Sequence, residues 1–305
     1  MSDALAEARS ARPLLGTLVE ISARGPRAES AVAQAFRAVE QVHALMSYHD
    51  LASDISRINR EAALRPVAVH AWTWSVLAAA RAFAEASAGL FDISVAPTLA
   101  RLGYLPRHAD FPRASGHADW RDIELLPRQC VRFARPLRVD LGGIAKGFAV
   151  DKAVEALQVH DVLAGRVNAG GDLRLFGPET ETIHVRHPQS PTYLLPLAEL
   201  HNGAAATSAG YFSPKQIGGR QVSPHIHPHT GRAVTSGASA TVLAPDCMTA
   251  DALTKIVLAD TALALPVLDR FAASAIVIDR DPITGAWRLF DSAQKNPASL
   301  EQHRA

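Results

Sequence analysis

The stretch Val139-Asp-Leu-Gly-Gly-Ile-Ala-Lys-Gly-Phe-Ala-Val-Asp151 sets a glycine pair, Gly142 and Gly143, and then Lys146 where a short apolar run meets a helical pattern. The first turn of a helix leaves backbone N–H groups unpaired and carries the positive end of the dipole, so a phosphate can sit there. Glycines let it approach, and Lys146 adds a point charge in the same turn. Neither common phosphate fingerprint is present: Gly-x-Gly-x-x-Gly is absent, and Gly142-x-x-x-x-Gly147 is followed by Phe148 where a P-loop needs Lys. A glycine turn that merely lets strand and helix pack accounts for the same residues, and both readings stay open from this stretch alone.

Four other clusters carry polar groups suited to chemistry. Asn168-x-Gly-Gly-Asp172 lies about one strand-helix-strand unit beyond Asp140-x-Gly-Gly, so two glycine corners are expected to face one ligand, although a β-bulge explains glycines in a strand as well. Asp92 is the one charge in Leu90-Phe-Asp-Ile-Ser-Val-Ala-Pro97, a run that Pro97 must end or hold at an edge; a buried carboxylate there needs backbone N–H partners or a ligand. Pro224-His-Ile-His-Pro-His-Thr-Gly231 puts His225, His227 and His229 at alternate positions. Its two prolines favour an irregular loop offering one working histidine over a three-histidine zinc cage. On a helix spanning Met248 to Ala259, Asp251, Thr254 and Lys255 fall at i, i+3 and i+4 and can meet on one face, where a surface ion pair is the plain alternative.

The elements that must position these residues read as a mixture of strands and helices. Leu14 to Ser22 is strand-like, Ala31 to Met46 repeats Val32, Phe36, Val39, Val42 and Met46 at helical spacing, and Thr73 to Ala88 is a further helix closed by Gly89. Leu137 and Val139 read as the end of a buried strand, and Ile144, Phe148, Val150, Val154 and Leu157 as the face of the helix that follows. Later strands are expected at 166–177, 239–244 and 274–279. Residues 1–13 are expected to be a flexible start and 292–305 a polar, frayed tail, leaving one domain over 14–291.

At 305 residues and 48% hydrophobic content the chain can bury a large core. Lys and Arg total 31 against 30 acids, which gives no bulk attraction to nucleic acid or to a membrane surface. Cys130 and Cys247 form neither a disulfide framework nor a zinc ribbon. No window reaches the apolar length of a membrane span, and a cytoplasmic location is expected.

In order along the chain, Leu15-Gly-Thr17, Met46-Ser47 with 53–59, Phe91-Asp-x-x-Val-x-Pro97, Val139 to Asp151, Asn168-x-Gly-Gly-Asp172, Thr207-Ser208 with Tyr211, Pro228-x-Thr-Gly231 and Ala250-Asp-Ala-Leu253 resemble the ApbE family, the FAD:protein FMN transferases. The resemblance implies an α+β fold of two tandem T-fold-like halves with FAD in the cleft between them. It implies magnesium-assisted cleavage of FAD and attachment of FMN, as a phosphoester, to a Ser or Thr hydroxyl of a target protein. By similarity, Leu90, Phe91, Asp92, Gly142, Gly143 and Lys146 would contact FAD, with Tyr48 against the isoalloxazine. The Ala145 carbonyl and Asp251 would hold the metal, and Thr254 is expected to join them if it turns inward. The chain departs from the family in three places. The Thr four residues past the metal Asp is Lys255 here, with Thr254 one step early. The family's loop histidine is Pro224, so His225 is expected to take the hydroxyl proton. The acids of a Ser-Gly-Asp-Tyr-Glu pattern are absent from Ser208-Ala-Gly-Tyr-Phe212. If Lys255 turns inward its ammonium excludes Mg²⁺. The alternatives are then an FAD carrier or sensor without catalysis and, more distantly, a metallohydrolase on the histidine loop.

Overall fold

The computed structural model describes residues 6–116, 118–187, 190–210, 214–234, 237–280, 287–293 and 297–299. Among these described residues nine strands make one sheet: β1 (Glu7–Leu14), β2 (Thr17–Arg24), β3 (Ala164–Ala169), β4 (Asp172–His187), β5 (Ser190–Ala209), β6 (Ser239–Ala244), β7 (Ser274–Arg280), β8 (Trp287–Asp291) and β9 (Pro297–Ser299). Each pairs antiparallel with its neighbour in the chain. Between β2 and β3 come α1 (Ala28–Met46), α2 (Asp54–Glu61), α3 (Ala71–Ala86), α4 (Ala96–Arg101) and α5 (Ala145–Gln158); between β6 and β7 come α6 (Cys247–Ala259) and α7 (Thr261–Arg270). The class is α+β, as expected. The sheet runs unbroken from β1 to β9, so the expected division into two halves rests on the resemblance and not on a gap in the sheet.

The period of two along a strand decides what faces the helices. Val19 and Ile21 of β2, Val167 and Ala169 of β3, Ala204 and Ala206 of β5, Ala240 and Val242 of β6, and Ala275 and Val277 of β7 all point to one face and are buried in the main core. The apolar stripe of α1, read from its spacing, joins them through Val32, Phe36, Val39, Val42 and Met46. The same register puts Asp172 opposite Ala169, Arg174 opposite Val167, and Ser208 opposite Ala240. These three polar residues are thus aimed into the helix layer, where each needs a partner.

Several expectations change. Residues 7–13 are not a flexible start but belong to β1, and 297–299 of the expected tail pair with β8 as β9. The run from Leu14 to Ser22 is split by a two-residue turn, Leu15-Gly16, with φ of 56° and 74°. Positive φ at both turn residues suits the right-handed twist of a tight hairpin. The stretch 90–97 is not extended: a 3-10 turn at Ile93–Val95 runs into α4, with Pro97 in its first turn, where the missing N–H would have had no helical partner. Leu137 and Val139 are buried but lie outside any strand. Asn59 stands in for the neighbouring strand, its amide donating to the Val139 carbonyl at 2.9 Å and accepting from the Val139 N–H at 2.7 Å.

Candidate active site

The site is built where α5 begins. Asn59 fixes Val139, the Asp140 N–H donates to the Ile93 carbonyl at 2.9 Å, and the Leu141 carbonyl accepts from Ala145 at 2.8 Å, so the Gly142-Gly143 turn is pinned on both sides. Gly147 is required for packing rather than for ligand approach: a Cβ there would lie 2.2 Å from the Cys247 carbonyl oxygen and 2.8 Å from the Met248 Cα. One turn on, Asp151 accepts from the Cys247 and Met248 N–H groups at 2.9 and 2.8 Å, satisfying the start of α6, and takes Arg174 at 2.7 Å. The packing reading of the organising stretch therefore holds for Gly147 and Asp151. Its second half locks two helix starts together, while Gly142, Gly143 and Lys146 line a cavity.

That locking brings four charges together. Lys146 donates to Asp172 in a short contact and lies 3.3 Å from Asp251 Oδ2, which also accepts from the Gly147 N–H at 3.1 Å. Lys255 donates to Asp251 Oδ1 in a second short contact, to the Asp251 carbonyl at 3.0 Å and to Ser208 Oγ at 3.1 Å. Asp251 is fully buried and Asp172 is 2% exposed. Burial works against the Asp251 anion, but the two lysines prevail and hold its carboxyl at about 2. Burial and the Asp251 charge push Asp172 up to about 6. Burial also opposes the Lys146 cation, yet the two carboxylates keep its pKa raised.

Two adjoining cavities, about 560 and 480 Å³, open over this cluster and share Leu15, Gly16, Leu105, Asp140, Gly142 and Lys146. Leu90, Phe91, Asp92, Gly143, His225 and Lys255 line the first. Tyr48 and Ala145 line the second. Tyr48 is a wall rather than an open platform, being 2% exposed with its ring 5.5 Å from His108 and 5.6 Å from Phe111. Asp92 Oδ1 accepts from the Ser94 N–H at 2.7 Å, and burial raises its pKa. It is at once a structural cap and part of the cleft wall. The second glycine corner faces the first as expected, since Gly170 and Asp172 line the larger cavity. A Cβ on Gly170 would meet Thr17 Oγ1 at 2.3 Å, so the β1–β2 and β3–β4 hairpin tips close on each other.

Of the three loop histidines only His225 lines the cavities. His229 bonds the Ala88 carbonyl at 3.0 Å and meets His227 edge-on, with ring centroids 5.6 Å apart. No three His, Cys, Asp or Glu side chains converge as a metal cage among the described residues. Burial, and then the nearby Lys255, lower His225 to about 4, so its ring is neutral across the physiological range. Tyr211 and Phe212 lie outside the described residues.

The residues expected to hold magnesium do not fit a divalent cation in this arrangement. Both oxygens of Asp251 already accept, from Lys255 and from Gly147 with Lys146 alongside. Thr254 is turned to other partners: its hydroxyl donates to the Asp251 carbonyl at 2.7 Å and pairs with Ser208 Oγ at 2.8 Å. Ser208 and Asp172 complete the cluster, accepting from Lys255 and Lys146 respectively. The motifs containing them were visible, but only strand register turns both toward α5 and α6.

The sequence profile of the ApbE family matches residues 15–274. An FAD:protein FMN transferase of Vibrio cholerae serotype O1 is 29% identical over 237 residues, spanning 71% of this chain and 69% of its own. One from Haemophilus influenzae is 29% identical over 235 residues, spanning 70% and 68%. Among solved structures, the ApbE protein of Thermotoga maritima superposes with a TM-score of 0.81 at 24% identity, over 97% of this chain and 98% of that one. The flavin transferase ApbE of Vibrio cholerae does so with 0.79 at 24%, over 95% and 98%. At such identity the superpositions speak for the fold.

Proposed function

The chain belongs to the ApbE family, and from that premise we propose that it is an FAD:protein FMN transferase. The observation that carries the reading is the cleft itself: two adjoining cavities share Gly142 and Lys146 at the start of α5, and His225 stands on the wall of the larger one. Ligand sites span roughly 300–1,000 Å³, and each compartment, at about 560 and 480 Å³, falls in that range. The α5 start and the Lys146 and Lys255 ammoniums supply positive charge where a pyrophosphate would cross between them.

In the proposed reaction a Ser or Thr hydroxyl of a target protein attacks the FMN-side phosphorus of FAD. A new P–O bond forms, the pyrophosphate P–O bond breaks, AMP leaves, and the hydroxyl proton passes to His225. A neutral imidazole is the form able to accept it. Lys146 and Lys255 offset charge building on the pyrophosphate oxygens.

The test is to incubate the purified chain with FAD and a protein extract, reading AMP release together with covalent flavin fluorescence on a denaturing gel. Fluorescent protein bands formed in step with AMP support the reading. FAD recovered intact, with no AMP, overturns it and leaves the second reading, a protein that holds FAD without transferring FMN, which the Lys255 substitution favours.

A further inference from the structure

We infer that Lys255 supplies, as a fixed ammonium, the positive charge that the family resemblance assigns to a magnesium ion, so that this cleft takes FAD without a divalent cation. The inference rests on the cleft being an FAD site and adds what neutralises the phosphates there.

Four observations support it. Asp251 has no exposed surface, whereas Lys255 lines the larger cavity with 18% of its side chain exposed, so the lysine lies between the carboxylate and the cleft. Its ammonium is held by three acceptors, the Asp251 carboxylate, the Asp251 carbonyl and Ser208 Oγ, which fixes its position before any ligand arrives. The other Asp251 oxygen is occupied by the Gly147 N–H, and Thr254 is hydrogen-bonded away from the carboxylate. Two buried carboxylates already face two ammoniums, so the cluster is neutral without a metal. A divalent ion would have to displace Lys255 or sit beside two like charges in a poorly screened interior. Position i+4 on α6 and a long stem let a lysine do this where a threonine could not reach past the carboxylate.

The experiment uses the whole chain. FAD is titrated by flavin fluorescence in saturating Mg²⁺ and in EDTA, for wild type, Lys255→Thr and Lys255→Arg, and Mg²⁺ alone is titrated calorimetrically into each. Wild-type FAD affinity is expected to change by less than about twofold between the two conditions, with no heat from Mg²⁺ alone. Lys255→Thr is expected to bind FAD at least about tenfold more weakly in EDTA than in Mg²⁺, a difference of about 1.4 kcal/mol. Lys255→Arg, which keeps the charge, is expected to stay insensitive to Mg²⁺. Heat of Mg²⁺ binding to the wild type, or an FAD affinity that collapses in EDTA, overturns the inference even if Lys255→Thr fails to fold. Absence of FAD binding in both conditions instead overturns the functional reading, and the Mg²⁺ titration still decides the question of the metal.

Discussion

At the scale of single residues, the chemistry turns on which groups are neutral and which are charged. His225 is held at about 4 by burial and by the Lys255 charge, below the ~6.5 of an unperturbed imidazole. A histidine whose folded pKa is depressed favours the folded state in its neutral form. Its contribution is therefore present above ~6.5 and is lost as pH falls through about 4. For the reaction, this places the acid limb of the rate of FMN transfer near pH 4 instead of 6.5. A profile with its midpoint at 6.5 would remove His225 from the role of base. His225→Gln is expected to slow transfer by roughly 10²–10⁴-fold while leaving FAD affinity near that of the wild type, as read by AMP release and by titration. Asp172 shifts the opposite way, with burial and Asp251 raising it to about 6. As pH falls from 7 to 5 it takes up a proton and the four-charge cluster moves from neutral to net positive. FAD binding should then tighten, and a titration series showing weaker binding at pH 5 would contradict the assignment.

At the scale of elements, the glycines of the organising stretch separate into two jobs that substitution can tell apart. Gly147→Ala drives a methyl into the α6 backbone, against the Cys247 carbonyl and Met248, and is expected to lower unfolding stability by about 1–3 kcal/mol. Gly143→Ala meets only ordinary contacts, the nearest being Lys255 Cε at 3.5 Å, and should leave stability within about 0.5 kcal/mol while weakening FAD binding. Denaturation curves alongside FAD titrations check both, and equal stability losses would erase the distinction. The sequence carried the helices well because their cause is local: Val32 to Met46 recur at helical steps and are buried where that spacing puts them. Elements with distant causes were misread. Val139 looked like a strand end because it is apolar and buried, yet its hydrogen-bond partner is the side chain of Asn59. The run from Leu14 to Ser22 hid a hairpin because Leu15 is an unlikely residue for positive φ, and only the pairing of β1 with β2 requires it.

At the scale of the whole molecule, one sheet with sequential antiparallel strands sets the site by register. Asp172 on β4 and Ser208 on β5 face the helix layer, α5 and α6 meet them with Lys146, Asp251 and Lys255, and the hairpin tips at Leu15-Gly16 and Gly170 close the cleft. The individual motifs could be read along the chain, and so could the departure at Lys255. Their convergence could not, because Lys146 and Asp251 are separated by more than a hundred residues and meet only through the α5–α6 contact. In the proposed complex FAD spans the two cavities with its pyrophosphate beside Lys146 and Lys255. The most direct measurement is a crystal structure of the chain grown with both FAD and Mg²⁺. The account predicts pyrophosphate oxygens within hydrogen-bond distance of Lys146 or Lys255, and the Lys255 ammonium still on Asp251. A magnesium ion bound by Asp251 with Lys255 swung away, or FAD bound outside these two cavities, would contradict it.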